Sequence, residues 1–318
     1  MEAFARFAHD IYALDAGYVR PLLAAIHLIV EGERVAIVDT GAKGSLAPTL
    51  AALAKLGLSA ESVDYVVLTH IHLDHAGAAG SMMRAFPNAR LLVHPRGVAH
   101  MIAPARLIEG VTAVYGAAEV ERLYGQILPV DAARIIPATH ELSVDLAGRR
   151  LLCLDTPGHA RHHIALFDER SRSVFTGDVF GMAYRELDTD GRQFLFPTTS
   201  PVQFDPVAMH ASIDRVLALQ PEFAYLTHYS QLPDLPTQAV HLRRLIDAHV
   251  AIALRAERAG KTGEARHAQM RADLTAMLLD EVQRFGCRLT TDRLLDIFAT
   301  DLELNARGLA VWLDSRSA

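Results

Sequence analysis

The chain has 318 residues, 51% of them apolar and 21% charged, with a formal net charge of −6. These proportions describe a globular protein with a sizeable core and exclude a disordered or fibrous chain. The 31 basic residues form no dense run, which argues against nucleic acid as a partner, because phosphate binding needs a concentrated cationic surface.

In chain order, "MEAFARFAHDIYALDAG" offers no uninterrupted apolar stretch of the kind a secretory leader carries, and no later run reaches the ~18 apolar residues of a spanning helix. Cytoplasmic residence without membrane contact is expected. Residues 22–41 read as a hairpin turning at Glu31-Gly32. Residues 45–58 carry Leu46, Leu50, Leu53 and Leu56 at helical spacing, with Ser45 as cap and Gly57 as stop. "VDYVVLT" (63–69) reads as a buried strand, followed by a helix near 79–86 and a strand at 89–94. Residues 95–140 read as mainly helical, interrupted at Pro104, Gly110 and Pro129. Two further strand–turn–strand units cover 142–159 and 162–178. The second echoes 26–41, which suggests an internal duplication. A helix at 206–219 and a strand at 223–228 follow, and helices fill 237–258, 263–285 and 291–314. Cys153 and Cys287 lie far apart in different kinds of segment, so no disulfide framework is expected.

The chain holds 16 histidines, and "VVLTHIHLDHAG" (66–77) crowds three of them with an aspartate. Residues i and i+2 of an extended stretch point the same way, so His70 and His72 can face one point. Asp74 and His75 follow where the chain turns. Imidazole and carboxylate together suit zinc, iron or manganese. His159, Asp178 and His228 each close a strand-like run, so four strand ends deliver His or Asp. Two metal ions need about six to eight protein ligands, and these seven residues are enough.

"THIHLDH" (69–75), "DTPGH" (155–159), "TGD" (176–178) and "LTH" (226–228), preceded by "IVDTG" (37–41), resemble the metallo-β-lactamase-fold hydrolase superfamily in order and spacing. The resemblance covers roughly residues 10–230. It implies a mixed α/β fold: a four-layer αββα sandwich over 1–236, with 237–318 as a C-terminal helical extension. It also implies His70, His72 and His159 on a first metal, Asp74, His75 and His228 on a second, and Asp178 bridging both. Two divalent ions are expected, zinc first, with iron or manganese as the other candidates. The chain departs from the pattern after His159, where "ARHH" puts His162 at a position that is glycine in many relatives.

The function these features imply is a metal-dependent hydrolase acting on an ester, thioester or lactone of a small molecule. A hydroxide shared by two ions about 3.5–4 Å apart would attack the carbonyl, with Asp74 as both ligand and catalytic residue. Residues 179–206 are long and irregular, as functional loops are. His162, Phe180, Tyr184 and Tyr229 are the candidate substrate contacts, with Arg185, Phe194 and Phe196 nearby. The helical extension is a candidate homodimer contact. Two rivals remain: a mononuclear-iron sulfur dioxygenase acting on a persulfide, and a non-enzymatic module whose metal only supports the fold.

Overall fold

The computed structural model describes residues 2–316. They form two compact units interleaved along the chain: residues 2–155, 162–177 and 219–233, and residues 156–161, 178–218 and 234–316. None of the helices in the described residues is long and apolar enough to cross a membrane.

The first unit contains both sheets. The seven-stranded sheet runs β1 (Phe4–Arg6), β2 (Ile11–Asp15), β3 (Ala25–Glu31), β4 (Arg34–Val38), β5 (Val63–Val67), β6 (Arg90–Val93) and β7 (Ile135–Pro137), in chain order. It is antiparallel from β1 to β4 and parallel from β4 to β7. The parallel half is reached through helices α1 (Leu46–Lys55), α2 (Leu73–Ala76), α3 (Ala79–Ala85), α4 (Val98–Ile102), α5 (Ala105–Tyr115) and α6 (Ala117–Tyr124). The six-stranded sheet uses β8 (Ser143–Leu146), β9 (Arg149–Asp155), β10 (Ile164–Asp168), β11 (Ser173–Gly177), β12 (Phe223–Leu226) and β13 (Ser230–Leu232), in the spatial order β13-β12-β11-β10-β9-β8. Two mixed sheets with α-helices are what the sequence led one to expect.

Strand alternation explains how the sheets stack. Ile26 and Leu28 of β3, Val35 and Ile37 of β4, and Leu91 and Val93 of β6 share one core with Leu53, Met82, Met83 and Phe86 from the helices. The intervening residues Ile29, Ala36, Val38 and Leu92 share a second core with Leu151, Cys153, Leu166, Phe175 and Tyr225 of the other sheet. His27 also lies in this inter-sheet layer, edge-on to Phe175 and Tyr225, and burial pushes its pKa down to about 4. It is therefore neutral near pH 7. Arg149 is buried too, donating to Asp168 and to the carbonyls of His9 and Val30.

The second unit is helical: α7 (Pro206–Ala218), α8 (Leu235–Arg258), α9 (Gly263–Phe285) and α10 (Thr291–Arg316). Leu242, Leu245, Leu274, Leu278, Val282, Phe298 and Leu302 are buried on the facing stripes, and Arg244 of α8 pairs with Glu281 of α9 at 2.5 Å.

Several local expectations need correction. Ser45 does not cap α1 through its side chain: its hydroxyl donates to Ala16 O and accepts from Ala42 N. Gly110 lies inside α5, where a Cβ would meet open space. The helix breaks instead at Gly116, whose φ of +82° suits glycine. The stretch 95–140 also contains β7.

Candidate metal centre

The histidine cluster begins where β5 ends. Leu68 N still donates to Leu92 O, after which the chain leaves the sheet through Thr69 and His70. His72 is the extended residue before α2, with φ −63° and ψ 147°. The four-residue helix then turns Asp74 and His75 inward at once. Gly77 closes the turn: a Cβ there would lie 2.4 Å from Leu73 O and 3.2 Å from Ala42 Cα, so only glycine lets the two segments approach.

Asp74, His75 and His228 each offer one ligand atom, and the three atoms lie within 4.8 Å of one another. Asp74 Oδ2 is 3.6 Å from His75 Nε2 and 3.4 Å from His228 Nε2. The opposite ring nitrogens decide what those Nε2 atoms can do. His75 Nδ1 is 2.8 Å from Asp39 Oδ2, and His228 Nδ1 is 2.6 Å from Leu23 O. Both partners are acceptors, so each Nδ1 carries a hydrogen, and in the neutral ring each Nε2 keeps a lone pair on the Asp74 side. Two imidazole lone pairs converging with a carboxylate are a cation site by donor chemistry. The residues therefore fit a divalent ion.

Asp39, one residue beyond β4, organises this corner. It is 1% exposed, and it accepts from Thr69 N at 2.8 Å, Thr69 Oγ1 at 2.9 Å and Thr227 Oγ1 at 2.8 Å, besides His75. Thr69 and Thr227 immediately precede His70 and His228. One buried carboxylate thus fixes the exits of β4, β5 and β12. In the sequence Asp39 stands out only as part of "IVDTG", with nothing local to give it a role. The available signal was the repeated Leu-Thr-His at 68–70 and 226–228.

His70 and His72 form a second pair. His70 Nε2 and His72 Nδ1 approach to 2.9 Å, a distance two imidazoles reach when they share a proton or converge on a cation. His162 turns inward against them, its ring 5.8 Å from that of His72. Burial, reinforced by His72, lowers its pKa to about 3, so it is a neutral wall. The fully buried His163, which no sequence pattern singled out, stacks on His70 at 5.2 Å.

His159 and Asp178 belong to the second unit, where His159 Nε2 is 3.6 Å from Asp178 Oδ2 and both are buried. By chain connection they follow β9 by four residues and β11 by one. The aromatic residues expected at a pocket mouth sit in the interior of that unit instead. Phe180, Tyr184, Phe194 and Phe196 are all buried. Tyr184 donates to Asp301 of α10 at 3.0 Å, and Phe196 packs edge-on against Phe298 at 5.2 Å. They fasten the 179–196 segment to the helices. Tyr229 is fully buried beside Ala13 and Ala25 in the first unit.

A family model described as "Metallo-beta-lactamase superfamily" matches residues 19–228, about two thirds of the chain. The chain belongs to the metallo-beta-lactamase superfamily. Within it, the chain is 26% identical over 272 residues to a metallo-beta-lactamase fold-containing protein of Sulfurisphaera tokodaii, covering 84% of this chain and 95% of that one. A hydroxyacylglutathione hydrolase of Aeromonas salmonicida is 30% identical over 211 residues, 66% of this chain and 63% of its own. Among solved structures, a metallo-beta-lactamase family protein of Thermus thermophilus matches with a TM-score of 0.65 at 21% identity, covering 97% of this chain and 94% of that one. Its likeness supports the superfamily fold alone.

Proposed function

We propose that this protein is a metal-dependent hydrolase of an ester, thioester or lactone, working with two divalent ions. The carrying observation is the Asp74–His75–His228 set, whose imidazoles are held by Asp39 and Leu23 and whose ligand atoms lie within 4.8 Å of one another. Similarity to a hydroxyacylglutathione hydrolase supports the reaction class. His70, His72 and His159 would hold the first ion and Asp74, His75 and His228 the second, with Asp178 shared between them. Zinc suits this nitrogen-rich set with carboxylates, and iron or manganese would also fit its donors.

A divalent ion there supplies Lewis acidity, bringing the pKa of water toward neutrality and polarising a carbonyl. The chain's own residues do the rest. Asp39 and Leu23 fix the imidazole tautomers. The Asp74 side chain keeps 22% of its surface exposed, so it can both orient an entering water and accept its proton. That proton then passes to the leaving oxygen or sulfur as the acyl bond breaks and water oxygen bonds to the carbonyl carbon. His162, neutral and inward-facing, narrows the approach without adding charge.

The test is turnover of an ester, thioester and lactone panel by metal-loaded protein, with His75→Ala as control. Turnover by the native chain and loss of at least about a hundredfold in the variant is the expected result. Two bound ions with no turnover anywhere on the panel would sink the proposal.

A further inference from the structure

The turn that carries His159 is held, within the helical unit, by α7 and the chain leading into that helix. Ser212 Oγ of α7 donates to Pro157 O at 2.5 Å. Asp205 N donates to Gly158 O at 2.7 Å, while the Asp205 carboxylate accepts from Ala208 N and so caps α7. Arg161 N donates to Gln203 Oε1 at 2.7 Å. Gly158 has φ +136°, and a Cβ there would overlap Met209 N and Cα, so α7 lies directly on the turn. The backbone is thus fixed both before and after His159. At its other end the 199–205 segment is fastened to α10. Asn305 is 1% exposed; its Oδ1 accepts from Thr199 N at 2.6 Å and its carbonyl accepts from Thr199 Oγ1 at 3.2 Å. Gly308 lies so close that a Cβ would overlap Thr199 O, and Phe204 packs edge-on against Trp312 at 6.2 Å. Residues 305, 308 and 312 share one face of the helix by their spacing. Leu302 and Leu309 of the same helix are buried apolar residues, and an amide among them costs desolvation unless its bonds are used. Asn305 Nδ2 has no hydrogen-bond partner among the described residues. Such a side chain fills a core poorly and holds one backbone amide specifically.

Resting on the assignment of His159 to the first ion under the proposed function, we propose that Asn305 and Ser212 are positioning residues for that ion. Asn305 of α10 holds the 199–205 segment, that segment and Ser212 of α7 hold the turn, and the turn aims His159. Neither residue touches the ion; both act through the backbone that carries its ligand. Loading of the first site is thereby tied to the docking of the last helix, some 150 residues beyond the ligand it serves. The second set behaves differently. Asp74, His75 and His228 belong to the other unit, where Asp39 and Leu23 orient the two imidazoles. The helical extension therefore acts on metal affinity at one site and not at the other.

The experiment reads each ion alone in the full-length chain. In a His228→Ala background the remaining ion is the one held by His70, His72 and His159; in a His159→Ala background it is the one held by Asp74, His75 and His228. Zinc affinity is measured in both by competition against a chromophoric chelator. Adding Asn305→Leu or Ser212→Ala to His228→Ala should lower zinc affinity by about tenfold or more, as loss of a ligand's supporting contacts does. Adding either to His159→Ala should leave affinity within about twofold, as expected of independent sites. Gln203→Leu should weaken the first site too, and Gln203→Glu, which keeps the acceptor for Arg161 N, should restore it. Because Gln203 is only half-buried, this pair carries the test if Asn305→Leu does not fold. Equal losses in the two backgrounds would mean general destabilisation and overturn the proposal, and so would unchanged affinity in the His228→Ala background. Zinc uptake is read without turnover, so a substrate panel that stays unhydrolysed removes the hydrolase reading and leaves this inference standing. A native chain that takes up no zinc removes both.

Discussion

Asp39→Asn changes one buried atom and tests how the metal centre is held. Oδ1 accepts from Thr69 N, and Oδ2 accepts from His75 Nδ1 and Thr227 Oγ1. An asparagine must put its NH2 at one of these two places. At the Oδ1 position it faces a backbone N–H that cannot change. At the Oδ2 position it faces His75 Nδ1–H, and relief requires His75 to move its hydrogen to Nε2, which removes the lone pair offered beside Asp74. Either orientation leaves a buried donor unpaired, at about 1–3 kcal/mol of stability. Loss of the carboxylate behind a ligating imidazole lowers metal affinity by about 10–100-fold, or ~1.4–2.7 kcal/mol. Thr227→Val removes one hydroxyl and leaves His75 oriented, so its affinity should stay within about threefold of native. Competition against a chromophoric chelator, paired with thermal melts of the metal-free proteins, measures both effects. An Asp39→Asn variant with native affinity at both sites would refute the orienting role of Asp39.

Other consequences concern the scaffold. His27 has a folded pKa of about 4 against ~6.5 unfolded, so between these values the unfolded chain binds the extra proton. Stability should therefore fall as pH drops through that window, by about 3 kcal/mol at pH 4 for this residue. Denaturant midpoints of metal-free protein at pH 8, 6 and 4.5 should show the slope, and His27→Phe should flatten it; parallel curves for the two proteins would contradict the assignment. Arg149→Met strands the buried Asp168 carboxylate and should cost about 3–5 kcal/mol, with Arg149→Met/Asp168→Asn recovering part of it; an unchanged urea midpoint in the single variant would count against this ion pair. Gly177 has φ +49°, and a Cβ there would lie 2.6 Å from His163 Nε2 and 2.7 Å from Thr69 Cβ. Gly177→Ala should cost about 2–4 kcal/mol through strain and overpacking, visible in a melting curve; a melting temperature within 1 °C of native, on the scale of ~1 kcal/mol per several degrees, would be inconsistent with that contact.

What the sequence made legible was the part governed by local pattern. β3–β4, β8–β9 and β10–β11 are apolar runs around short turns, and the long C-terminal helices carry clear stripes. The candidate ligands could be found because each follows a strand, where the chain leaves the sheet and exposes its next side chains. β1 and β13, three residues each, are too short to show period-two alternation, and the first four residues of β2 are apolar and buried on both faces. Asp39 was legible as a motif residue but not as an organiser, because its partners lie 30, 36 and 188 residues away. The surroundings of the candidate substrate residues were hidden for a related reason. Phe180 and Tyr184 have the composition of a pocket lining, yet both are buried, and Tyr184 is tied to Asp301 of α10. The half-buried face of α5 reads in sequence like any amphipathic helix.

Two divalent ions held by these histidines and aspartates are the core of the proposed function. Inductively coupled plasma mass spectrometry on full-length protein purified without added metal measures this outright. Close to two ions per chain are expected, zinc first, with His228→Ala retaining about one. A chain that carries no metal and takes up none when it is added would contradict it, and so would a single iron per chain.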